Sequence, residues 1–207
     1  MARLENVFPL DGTGVLAYDV SPDRSVVAIG RRQGKHPGQV MLDLMVAHDL
    51  HNFFMLPLYN VDLEAAAAML THPRSTVGLG DAGAHTSQTC DASFPTFTLA
   101  YWVRERRRMS LEHAVRKLTL DLADLWGLPG RGVIRQGAYA DLNVIDLGRL
   151  DVRLPEVRHE LPTGAPHLWQ GSTGFVATVV NGTVVMEGGA HTGALPGSVL
   201  RNARYAG

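Results

Sequence analysis

At 207 residues the chain is long enough to bury a sizeable core, in one large domain or a domain and a half. Hydrophobic residues at 45% argue against disorder, and 19 basic against 20 acidic residues leave no net field to attract nucleic acid or a membrane surface. No apolar run approaches the roughly 20 residues of a membrane span, residues 1–20 lack the pattern of a secretion signal, and the single cysteine suits a reducing compartment, so the expectation is a cytoplasmic protein.

Residues 1–35 are poorly periodic and broken by Pro9, Gly12, Gly14 and Pro22. Residues 37–49 read as an amphipathic helix, with Val40, Met41, Leu44 and Met45 on one face. Residues 53–59 form an apolar strand candidate that Pro57 must end or bulge. Asp62 caps a short alanine-rich helix over residues 63–70, packed through Leu63, Ala67 and Leu70. The apolar run Thr76-Val77-Gly78-Leu79 comes next and predicts a buried strand ending at Asp81. Strand, helix and strand at this spacing predict a parallel crossover unit.

A helix is expected over residues 97–108, closing on the basic run of residues 104–108, read as a solvated helix end rather than a phosphate site. Ser110 caps the best helix of the chain, with Leu111, Val115, Leu118, Leu122, Leu125 and Trp126 along one side and Gly127 and Pro129 stopping it. From Gly132 the pattern turns to short β-runs. Residues 140–144 alternate, and 178–180 meet 183–185 across Asn181-Gly182, a strong hairpin signal. Residues 159–174 read as irregular, and the tail from Gly188 is glycine-rich. The fold class is therefore α/β, succeeded at about residue 131 by a smaller all-β module.

Chemistry concentrates in residues 75–96. A carboxylate at the end of a buried strand, with His85 four residues on in a glycine-rich loop, is where α/β enzymes place catalytic groups. Aspartate beside glycine is also ordinary turn chemistry, and these residues alone leave both readings open. Residues 78–83 spell G-x-G-x-x-G, but residues 86–90 make a poor helix, and Asp81 would put an anion where a pyrophosphate sits, which disfavours a dinucleotide site. Cys90 lacks any nucleophile signature and reads as a small buried hydrophobe. His48 and His51 lack a third ligand and read as surface histidines.

Three blocks occur in order: D-A-G-A-H at residues 81–85, S-L-E-H-A-V-R at 110–116 and G-V-I-R-Q-G-A-Y-A-D-L at 132–142. Together with C-D-A-S-F-P-T at 90–96, W-V-R at 102–104, Asn181-Gly182 and T-G-A-L-P-G at 192–197, they resemble the carboxyl-terminal part of the amidohydrolase superfamily. The resemblance is strongest to the N-acyl-D-amino-acid deacylases (D-aminoacylases) and runs from Leu4 to the end.

That resemblance implies a zinc-dependent hydrolase of linear amides in small N-acyl amino acids. Residues 1–130 would be the last strand–helix units of a metal-dependent hydrolase (β/α)8 barrel, and 131–207 a small β-sandwich module and tail. The family's last barrel strand ends in an aspartate that falls on Asp81. It would act as general base and acid for a zinc-activated water, and as a metal ligand. His85 falls where cyclic amidohydrolases place a substrate-binding histidine, and a loop histidine without a role stays an equal reading. Asp141 reads as structural. Cyclic-amide hydrolysis of the dihydroorotase or hydantoinase type is the alternative activity.

The chain also departs from the family. None of its nine histidines are two apart, so the His-x-His zinc pair is missing, and the main ligands with it. A barrel takes about 250 residues, so the barrel here is incomplete. The expectation is the carboxyl-terminal piece of a longer enzyme, a fragment inactive alone, whose partner is the missing amino-terminal half of the barrel. A truncated, non-catalytic fragment without metal is the competing reading.

Overall fold

A computed structural model describes residues 4–10 and 16–201, so the breaks expected at Gly12 and Gly14 lie outside the described residues. The chain divides into two compact units, Met1–Ala68 and Met69–Gly207.

In the first unit, strand β1 (Phe8–Leu10) pairs antiparallel with β2 (Phe53–Met55), Phe8 opposite Met55 and Leu10 opposite Phe53. Helix α1 (Val26–Gln33) starts at Ser25, whose Oγ accepts the Ala28 N–H at 3.2 Å. Helix α2 (Pro37–Ala47) carries Pro37 in its first turn, where no intrahelical donor is needed, and His36 Nδ1 accepts the Gly38 N–H at 3.1 Å. Val7, Val26 and Val40 form the core, with Met41, Leu44 and Phe54 packed against it. The predicted face of α2 is therefore the buried one. Asp62 caps α3 (Leu63–Thr71) as expected, its Oδ1 accepting from the Glu64 and Ala65 N–H groups at 3.0 and 3.1 Å.

The parallel crossover does not form. β1 and β2 run antiparallel, no parallel pair exists among the described residues, and residues 76–80 are irregular rather than a strand. An extended apolar run becomes a strand only when a neighbour completes its hydrogen-bond ladder. None does so here, and Leu79 lies 87% exposed.

The second unit is built on helix α4 (Phe94–Phe97), which continues as a π-helix over Thr98–Glu105, and on α5 (Leu111–Leu118) and α6 (Leu120–Trp126). The wide π turn lets Phe97 stack on Tyr101 at 4.7 Å between centroids, with Trp102 edge-on to Tyr101 at 4.8 Å. Leu99, Met109, Ala114 and Leu150 make the core, flanked by Leu70, Val103 and Phe175. Arg104 departs from the solvated reading of its basic run. It turns inward to donate to the carbonyls of Leu147 (3.2 Å) and Leu150, and pairs with Asp151 at 3.5 Å.

Ser110 caps α5 as read, accepting the His113 N–H at 3.2 Å. The single long helix is split, however, at Thr119, whose hydroxyl donates back to the Val115 carbonyl at 2.6 Å. The buried face is Ala114, Lys117 and Ala123, while Leu111, Val115, Leu125 and Trp126 are exposed. Small alanines let α5 and α6 approach the core closely, and the break at Thr119 ends the shared stripe.

The described β elements of the second unit form two sheets. β3 (Leu142–Ile145), β6 (Phe175–Val180), β7 (Thr183–Glu187) and β8 (Ala190–His191) pair antiparallel in the order β3-β6-β7-β8. β4 (Asp151–Arg158) pairs with β5 (His167–Thr173). Asn181 and Gly182, at φ 47° and 81°, make the left-handed two-residue turn their identities demand. β5 corrects the irregular reading of residues 159–174. Its polar sequence is held by pairing and by Arg158 lying 3.6 Å over the Trp169 ring.

Asp141 is a joint in this module. Its Oδ1 accepts the Asn181 N–H at 2.8 Å, and it pairs with Arg131, which also donates to Asn181 Oδ1 at 3.0 Å. Burial alone would raise the Asp141 carboxyl, but the Asn181 N–H and Arg131 outweigh it and hold it below its ordinary value.

Candidate active site

The loop of residues 72–93 enters from α3 and leaves into α4, within the second unit. Its entry is fixed from below by Lys117, which is 3% exposed. The ammonium donates to the Ser75 carbonyl at 2.7 Å, the His72 carbonyl at 3.2 Å and Ser75 Oγ at 3.4 Å. Farther on, the Leu168 N–H of β5 donates to the Thr86 carbonyl at 2.7 Å. The loop is thus tethered at two places between its ends.

Asp81 sits exposed on this loop. Its own N–H donates to Asp91 Oδ2 at 2.7 Å, and its carbonyl accepts the Ala84 N–H at 3.0 Å. His85 is also exposed, with φ 50°, and its carbonyl accepts from Gln88 and Thr89 at 2.7 and 3.1 Å. So the aspartate and the histidine share one turn-rich loop, but no hydrogen bond joins their side chains. Asp81 is instead brought to Asp91, which is partly buried.

Cys90 is half-buried, and burial together with the neighbouring Asp91 charge pushes its thiol up. A thiol kept protonated is a poor nucleophile, which agrees with the apolar reading of this residue. His48 and His51 are both exposed. Among the described residues no group of three or more histidine, cysteine, aspartate or glutamate side chains could hold a metal ion. Sequence reasoning has Asp91 only as part of the 90–96 block, without a site role, and passes over Lys117. A signal for the first lies in Gly80, the one residue type that admits close backbone approach. The second sits three residues after Ala114, on the buried stripe of its helix.

Residues 11–186 match the amidohydrolase family. The chain belongs to that family. Uncharacterized proteins of Mycobacterium bovis and Mycobacterium tuberculosis are each 30% identical to this amidohydrolase chain over 207 residues, covering 89% of it and 33% of their own length. An N-acyl-D-aspartate deacylase of Alcaligenes xylosoxydans is 36% identical over 134 residues, 64% of this chain and 25% of the deacylase. A crystal structure of a D-aminoacylase shares the fold, with a TM-score of 0.51 at 22% identity over 91% of this chain and 36% of that one. A second D-aminoacylase structure matches to the same extent, and that protein has a binuclear metal centre. The chain spans a quarter to about one third of the length of the relatives it matches. Consistent with partial coverage, no closed barrel forms among the described residues. Nor does any described helix have the length and apolarity to cross a membrane.

Proposed function

We propose that this amidohydrolase chain carries the proton-transfer aspartate of an enzyme that hydrolyses the linear amide bond of N-acyl-D-amino acids. The carrying observation is the family match over residues 11–186, joined by identity to an N-acyl-D-aspartate deacylase. Within the matched region, Asp81 is the carboxylate that lies exposed on a loop tethered by Lys117 and Leu168, with its N–H bound by Asp91.

The described residues do not assemble a metal site on their own. Zinc, our choice for the family's metal, would rest mainly on ligands outside this chain, with Asp81 adding one at most. Asp81 takes a proton from the water attacking the amide carbon and returns it to the departing amine nitrogen, leaving a carboxylate and a free D-amino acid. The Asp81 side chain is exposed and, among the described residues, not tied into an ion pair, so it is free to turn toward the reacting atoms. His85, one turn along, would face the substrate. The barrel portion, the β-sandwich character of the β module, the missing amino-terminal half as partner and a cytoplasmic location belong to the same proposal.

The test is turnover of N-acyl-D-amino acids by the natural protein that contains this chain, beside the 207-residue chain alone. Activity in the former with none in the latter is expected. Hydrolysis by the isolated chain would show that the catalytic groups are complete without a partner.

A further inference from the structure

We propose that Asp91 is the positioning residue for Asp81, an inference whose bearing on catalysis rests on the reading of Asp81 as the proton-transfer group. Asp91 Oδ2 accepts the Asp81 N–H at 2.7 Å, a charge-assisted bond ten positions back along the chain. The approach is as close as the backbone allows. A Cβ added at Gly80 would lie 2.6 Å from the Asp91 carbonyl oxygen and 2.9 Å from its carboxyl carbon. Residue 80 must therefore be glycine for the two strands of the loop to meet.

The second carboxylate oxygen, Oδ1, is shielded from solvent and has no hydrogen-bond partner among the described residues. A carboxylate oxygen kept from water in this way costs free energy, which an ordinary turn residue avoids by rotating outward. Asp91 is held inward instead. Its mount is firm: α4 begins three residues later, and Thr96 and Thr98 behind it are buried. Asp81, by contrast, is exposed, and its side chain makes no hydrogen bond within the loop. Beside the local turn bond from the Ala84 N–H to its carbonyl, the main-chain tie to Asp91 is the contact that aims it.

The experiment is hydrogen exchange of the Asp81 amide by NMR in the 207-residue chain, compared with Asp91→Asn and Asp91→Ala. Loss of a hydrogen bond to a charged acceptor should speed that exchange by about tenfold or more in Asp91→Ala. Asp91→Asn, which keeps an oxygen acceptor, should retain part of the protection, and amides of α5 should be unchanged in both. An Asp81 amide as fast in the wild type as in Asp91→Ala overturns the tie. In the natural protein containing this chain, Asp91→Ala should lower kcat with KM held, and Asp91→Asn should restore part of it. Normal kcat in Asp91→Ala alongside an inactive Asp81→Asn overturns the positioning role and leaves the proposed function standing. An active Asp81→Asn removes the proposed function instead, while the exchange rates still decide whether Asp91 holds Asp81.

Discussion

Replacing Lys117 with methionine keeps an apolar stem of nearly the same reach and removes the ammonium. That ammonium makes two well-formed bonds, to Ser75 O at 2.7 Å and His72 O at 3.2 Å, and a weaker third to Ser75 Oγ at 3.4 Å. Hydrogen bonds from a charged donor are worth roughly 1.5–3 kcal/mol each. Relief of the desolvation that a buried ammonium suffers offsets part of the loss, and His72, being exposed, lets water replace one donor. The net cost should be about 2 kcal/mol for Lys117→Met, and about 1 kcal/mol more for Lys117→Ala, which also removes the packed stem. All three tryptophans, Trp102, Trp126 and Trp169, lie in the second unit, so fluorescence-monitored urea unfolding has its probes in that unit. With a urea slope of roughly 2 kcal/mol per molar, the Lys117→Met midpoint should fall by about 1 M. An unchanged midpoint would mean that the ammonium reaches water, and that residues 72–75 are not anchored by it.

Three other outcomes are expected. Gly80→Ala should push the Asp91 segment away, since its Cβ would meet backbone at 2.6 Å, and should speed Asp81 amide exchange as Asp91→Ala does. Gly182→Ala meets no neighbour but must hold φ 81°, so it should cost about 1 kcal/mol in thermal or urea unfolding, the penalty of a left-handed L-residue. The depressed carboxyl of Asp141 contributes stability above its unfolded value of 3.8 that is lost as pH falls through the lower folded value. Asp141→Asn should therefore lower stability at neutral pH and flatten the acid limb of a stability–pH curve. An unaltered acid limb would show that the Arg131 and Asn181 contacts are not formed in solution.

The features legible in the sequence were those that depend on neighbours in the chain. Asp62 and Ser110 cap their helices because a cap needs only the next three residues, and Asn181-Gly182 turns the chain by its own backbone preferences. Val40, Met41 and Leu44 face the core because helical period alone brings them together. The features that failed needed distant partners. Residues 76–79 have strand composition but no ladder, and β5 has loop composition but pairs with β4. The stripe over residues 111–126 fails for a local reason instead: Thr119, bonded back to Val115, breaks the helix, and Leu125 and Trp126 lie exposed. Asp81 stands out for its place beside glycines, but its tie to Asp91 spans ten residues, and Lys117 grips a segment 42 residues earlier. Gly80 and the buried stripe of α5 mark that these positions are constrained, but they do not name the distant partner.

The most direct measurement is turnover of N-acyl-D-amino acids by the natural protein containing this chain, with Asp81→Asn compared to wild type and bound metal quantified in both. Loss of turnover with metal retained is the predicted result. Near-normal turnover in Asp81→Asn would contradict the assignment of Asp81 as the group that moves the proton.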